Sequence, residues 1–119
     1  MTSLVACLSI GKGTWVSVLE LAKSPSFEQV FLVCNGWTQQ NFKTQQNNVH
    51  LVLIDEQQPL SSIIEAIQTG LRGKIADTEV ALNLFSGTGK EHMAVLSALL
   101  KLGLGVRLVH SENNQVQEL

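Results

Sequence analysis

Residues 79–110 read EVALNLFSGTGKEHMAVLSALLKLGLGVRLVH. The first seven, Glu79 to Phe85, are an almost unbroken apolar run, the pattern of a strand covered on both faces. A glycine-rich turn follows, Ser86-Gly87-Thr88-Gly89. Lys90 to Leu102 then carries Met93, Leu96, Leu99 and Leu100 at helical spacing, which predicts a helix packed through those residues. Gly103 and Gly105 close it, and Val106 to His110 is a second apolar run. Strand, helix and strand joined by short glycine turns make a parallel βαβ unit.

The same grammar extends upstream. Ser3 to Ile10 is an apolar run ended by Gly11, and Thr14 to Lys23 follows with Trp15, Val18, Leu19 and Ala22 on one helical face. Gln29 to Cys34 and Val49 to Ile54 read as further strands. Between them, Asn35-Gly36-Trp37 is turn chemistry, and the Gln- and Asn-rich stretch from Thr38 to Asn48 predicts a loop or short irregular helix. Pro59 to about Leu71 predicts a helix with Ile63, Ile64, Ile67 and Leu71 on one stripe, and Gly70 and Gly73 mark its end. The expected fold is α/β: a single Rossmann-like domain over residues 1–110, with a parallel five-stranded sheet in the order 3-2-1-4-5 and helices on both faces. Residues 111–119 are polar and are expected to be a frayed tail.

Apolar residues make up 45% of the 119 and charged residues only 15%, so the chain has ample core and little charged surface, as if a partner subunit covered some of it. The net charge of −2 gives no general affinity for DNA or other nucleic-acid backbone. No apolar run is long enough for a membrane span, and the N-terminus lacks a basic signal-peptide start, which points to a cytoplasmic protein. Cys7 and Cys34 lie within apolar runs and read as buried free thiols. No Cys/His grouping, with His50, His92 and His110 far apart, has metal-ligand spacing. No metal or other cofactor is expected. Asp55 and Glu56 read as solvated loop residues, and Glu91 as favourable charge at a helix start.

In this strand order the sheet changes direction between strands 1 and 4, the place where open α/β sheets bind ligands. The loop after strand 1 is Ser9-Ile10-Gly11-Lys12-Gly13-Thr14, and the loop after strand 4 is Ser86-Gly87-Thr88-Gly89-Lys90. Each offers Gly-x-Gly, a lysine, a threonine and a helix start. Backbone N–H groups of Gly11, Gly13, Gly87 and Gly89, two helix N-termini, and Lys12 and Lys90 together suit a phosphate or another anion. Two common motifs are excluded. The dinucleotide fingerprint would need glycine at Val16 or His92, and Walker A would need glycine at Leu84 and Ser or Thr at Glu91.

The segment Ser86-Gly87-Thr88-Gly89-Lys90-Glu91-His92-Met93, paired with the loop after strand 1, resembles the CARF domain, the CRISPR-associated Rossmann-like sensor of cyclic oligoadenylates. That family's second loop has the form Gly-Gly-Thr-Lys followed shortly by Met or Leu. Here Thr88 and Gly89 stand in swapped order, and one extra residue precedes Met93. The resemblance implies a homodimer that binds a cyclic oligoadenylate, a small cyclic RNA of antiviral defence, in one two-fold pocket. With no effector segment within these 119 residues, it points to the ring nucleases, which cut the messenger without metal by 2′-OH attack.

On that resemblance Lys12 and Lys90 would stabilise phosphorane charge and His92 would transfer a proton. Ser9, Thr14, Ser86 and Thr88 would hold phosphate or ribose oxygens. Asn35 and Trp37 follow strand 2 on the same edge, and Trp37 would stack on an adenine. The same residues would serve a non-catalytic sensor or sponge equally well. An unrelated nucleotide- or phosphate-binding protein, and a structural subunit whose glycine turns bind nothing, are also open at this stage.

Overall fold

The computed structural model describes residues 2–8 and 14–119. Six strands form one sheet in the order β3-β2-β1-β4-β5-β6: β1 (Thr2–Leu8), β2 (Phe27–Cys34), β3 (Val49–Leu53), β4 (Glu79–Asn83), β5 (Gly105–Glu112) and β6 (Gln115–Glu118). The helices are α1 (Trp15–Ala22), α2 (Gly36–Asn41), α3 (Leu60–Leu71) and α4 (Gly89–Lys101). The first five strands are parallel and stand in the order read from the sequence.

β1 lies at the centre because it is apolar on both faces. Leu4, Ala6 and Leu8 face α1 and pack with Trp15, Val18, Leu21 and Phe42. Val5 and Cys7 face α3 and α4 and pack with Ile63, Ile67, Val95 and Leu99. Each edge of β1 holds a parallel partner: Leu4 pairs with Val30 of β2 and with Ala81 of β4.

Three expectations are corrected. The C-terminal segment is not frayed, and the sheet has six strands rather than five, because β6 pairs antiparallel with β5. Asn113 and Asn114 both have positive φ (54° and 61°) in the two-residue turn between them, as a type I′ hairpin requires. Only Val116 of this strand packs inward, so its composition reads as polar tail. The second correction concerns α4, which packs through Ala94, Val95, Ala98 and Leu99 and not through the Met93–Leu96–Leu100 stripe. Two alanines let the helix sit close on the sheet. Met93, Leu96 and Leu100 therefore point outward, 59%, 38% and 58% exposed. The third correction concerns Gly36 and Trp37, read as part of a turn: they open α2, with Asn35 as its N-cap, and residues 42–48 are irregular.

α3 ends at Leu71, as read from the sequence, and Gly70 lies in its last turn, where the helix presses on β3. A Cβ there would lie 2.8 Å from Cγ1 of Val52, a buried, β-branched side chain with little freedom to turn away. Alanine is ordinarily the better helix former by about 1 kcal/mol. Here Gly70→Ala is expected to destabilise the protein by about 1–3 kcal/mol through overpacking. Urea unfolding measures this, and a gain in stability would contradict so close an approach.

Candidate functional site

The last residue of the first glycine-rich loop, Thr14, reaches the second loop. The Thr14 hydroxyl, at the start of α1, donates to the Ser86 hydroxyl after β4 at 2.8 Å, across 72 residues of chain. Ser86 is fully buried, so this contact lies at the floor of the junction between the β1 and β4 ends. Ser9, Gly11, Lys12 and Gly13 lie outside the described residues.

The β4 loop is built tightly. Gly87 has φ +111°, a conformation reserved for glycine, and a Cβ there would lie 3.1 Å from Cβ of Cys7 and 3.1 Å from Nε2 of His92. Thr88 caps α4: its side-chain oxygen accepts from the Glu91 N–H at 3.2 Å, and its own N–H donates to Oε1 of Glu91 at 2.7 Å. This reciprocal capping box satisfies the buried Glu91 carboxylate, which is only 6% exposed. Thr88 is thus occupied in holding the helix start. The first-turn N–H groups at Gly89 and Lys90 have no intrahelical acceptor and face the loop end of the helix.

His92 is half-buried, and its Nε2 lies 2.9 Å from the Ser86 carbonyl oxygen. A carbonyl only accepts, so Nε2 carries a proton, and Nδ1 is the ring atom left to exchange one. The Lys90 ammonium donates to the carbonyl oxygens of Glu56 (3.0 Å) and Gln58 (2.8 Å). It braces the β3–α3 loop against α4 and retains one further N–H.

Asn35 is buried at the end of β2. Its Oδ1 accepts from the Thr38 N–H at 2.9 Å, and its Nδ2 donates to Oε1 of Glu56 at 3.2 Å. The Thr38 hydroxyl in turn donates to the Leu8 carbonyl oxygen at 3.5 Å, tying α2 to the end of β1. Trp37 is 42% exposed and meets the buried Trp15 edge-on, with ring centroids 6.1 Å apart. Asn35, Trp37 and Glu56 line one crevice of about 450 Å³ at the ends of β2 and β3.

Glu56 is the residue that sequence reading missed: it is half-buried and engaged with Asn35, not a freely solvated carboxylate. Its partner is 21 residues away, so no local pattern signals the contact. His50 and His110 lie apart from this edge, against Gln29 and Glu112 respectively. Among the described residues no group of three His, Cys, Asp or Glu side chains is placed to hold a metal ion, and no helix is long and apolar enough to cross a membrane.

No family model matches the sequence, and no curated protein matches it. Among solved structures, the chain is similar to Can2 from Sulfobacillus thermosulfidooxidans in complex with cyclic tetra-adenylate. The TM-score is 0.62 at 9% identity, and the match covers 97% of this chain and 36% of that one. The chain therefore spans about a third of its neighbour's length. The likeness is one of fold.

The floor of the site also fixes its thiol chemistry. Burial pushes the Cys7 thiol up to about 12, with Glu91 and Cys34 adding to it, and burial pushes Cys34 up to about 11, both from an ordinary 9.0. The thiolate is the reactive form. Both thiols are expected to resist Ellman's reagent in the native protein at mildly alkaline pH and to react on denaturation. Raised folded-state values mean that the folded protein holds these protons more tightly than the unfolded chain does. Their contribution to stability is complete below pH 9 and is lost as pH rises towards 12. Rapid labelling of either thiol without unfolding would contradict the buried placement.

Proposed function

We propose that this protein binds a cyclic oligoadenylate on the β1–β4 edge, across the two-fold axis of a homodimer, and cleaves it by attack of a ribose 2′-OH. The observation that carries the reading is the Thr14–Ser86 hydrogen bond, which joins the two loops from which such a site would be built. Support comes from the β4 loop motif and from the fold shared with a protein solved in complex with cyclic tetra-adenylate.

The outward stripe of Met93, Leu96 and Leu100 supports the dimer. It begins one turn from the loop and is opposite the face that α4 buries against the sheet. Three large apolar residues in a row on an otherwise solvated face favour a covering partner. A second copy seated on α4 would bring two sets of loops together around one ring.

In the cleavage step the 2′-oxygen forms a bond to the adjacent phosphorus as the bond to the 5′-oxygen breaks. The 2′-OH proton is lost to a base, and the leaving 5′-oxygen gains one. The products are a 2′,3′-cyclic phosphate and a 5′-OH. Nδ1 of His92 is the described ring nitrogen available for that exchange, and the free N–H of Lys90 with the first-turn backbone N–H groups would stabilise the phosphorane. One observation favours the non-cleaving sensor or sponge as the second reading. Lys90 is committed to two carbonyl oxygens and must turn from at least one to meet a phosphate squarely.

Incubation with cyclic tetra- and hexa-adenylate in EDTA, followed by chromatography, is expected to give linear products ending in 2′,3′-cyclic phosphate. Intact ring retained by the protein would establish the sensor, and intact ring without binding would overturn both readings. Lys90→Ala is expected to weaken ring binding by about tenfold or more, because it removes one charge-assisted contact. Leu100→Glu is expected to give a folded monomer by light scattering. A dimer of unchanged mass would remove α4 from the interface.

A further inference from the structure

The crevice at the ends of β2 and β3 has a composition unlike that of the two-loop edge beside it. Its walls include Trp37 and Leu53, large apolar side chains that are 42% and 50% exposed. Its charged groups are the carboxylates of Asp55 and Glu56. Asp55 is spent on its own turn, with Oδ1 accepting from the Gln57 N–H and Oδ2 from the Gln58 side-chain amide. Glu56 is different, because it is held in place and still has capacity. Oε1 accepts from Asn35, whose amide is fixed by the Thr38 N–H on its other side, and Oε2 has no partner among the described residues. The Glu56 backbone is fixed in turn by Lys90.

A phosphate would be repelled by such a site. A flat, apolar group with a hydrogen-bond donor on its edge would fit it. Adenine presents that combination: a face that stacks on an aromatic ring and a 6-amino group that donates. The crevice lies one to two strands from β1, about 5–10 Å at the usual strand spacing, and Lys90 links its rim directly to the start of α4. A ring whose phosphates occupy the β1–β4 edge would direct its bases outward towards this crevice.

We infer that this crevice is a base subsite in which Trp37 stacks on adenine and Glu56, positioned by Asn35, accepts a hydrogen bond from the 6-amino group. The inference rests on the cyclic oligoadenylate reading and adds to it a residue that selects the base. A fixed acceptor disfavours an analogue that lacks the matching donor, so the preference should be readable as a ratio of affinities.

The test is a calorimetric titration with cyclic tetra-adenylate and with the same ring carrying purine, without the 6-amino group, in place of adenine. The wild-type protein is expected to bind the adenylate ring at least tenfold more tightly, as loss of a hydrogen bond to a charged acceptor predicts. Glu56→Ala is expected to bind the two rings alike, within about twofold. A merely structural role for Glu56 would weaken both rings together and leave the wild-type ratio intact, which would overturn the subsite. Tight binding of both rings by the wild-type protein would overturn it too, while leaving the cyclic oligoadenylate reading standing. Failure of the wild-type protein to bind either ring would overturn that reading and the subsite with it.

Discussion

Everything else in this structure depends on the central place of β1. Its side chains are buried on both faces, Leu4, Ala6 and Leu8 against α1, and Val5 and Cys7 against α3 and α4. Neither face tolerates a shift of register, because a slip of one residue would exchange the two sets. With β2 on one edge and β4 on the other, the strand order reverses direction between β1 and β4. Such a reversal is where open α/β sheets bind their ligands. The Thr14–Ser86 hydrogen bond ties the two sides of the reversal together, and Gly87 allows the β4 loop to lie against Cys7 without a side chain between them.

The chemistry of this edge follows from how its polar groups are already used. Glu91 and Thr88 satisfy each other, the Nε2 proton of His92 is given to the Ser86 carbonyl, and Lys90 is shared between two carbonyl oxygens of the β3–α3 loop. Lysine and glutamate side chains both stand near the start of α4, so their charges offset one another there and the backbone N–H groups of the helix start add the remaining positive potential. The Lys90 brace also joins the start of α4 to the crevice of Trp37 and Glu56.

Much of the fold was legible because the strands of a doubly covered parallel sheet are written as unbroken apolar runs. Ser3 to Ile10, Gln29 to Cys34 and Glu79 to Phe85 each appear within a residue or two of β1, β2 and β4, and the glycine punctuation between elements fixed their order. The meeting of the loops was legible through the rule for strand order, since Thr14 and Ser86 were both assigned to one edge. Three features were not. β6 is an edge strand of alternating polar residues behind an Asn-Asn turn, and one inward Val116 is too weak a signal for a strand. α4 carries two apolar faces, and spacing alone cannot say which meets the sheet; its small Ala94 and Ala98 made the choice. Glu56 gains its position from Asn35 and Lys90, partners distant in the chain, so it reads locally as an ordinary loop carboxylate.

The central claim is that two chains build one pocket for one cyclic oligoadenylate ring. Its most direct test is the stoichiometry of a calorimetric titration with cyclic tetra-adenylate, run on protein whose mass is measured in the same buffer by light scattering. The account predicts a dimer that saturates at one ring for every two chains. A monomer, or saturation at one ring for each chain, would contradict the shared pocket, and a flat titration would contradict the ligand itself.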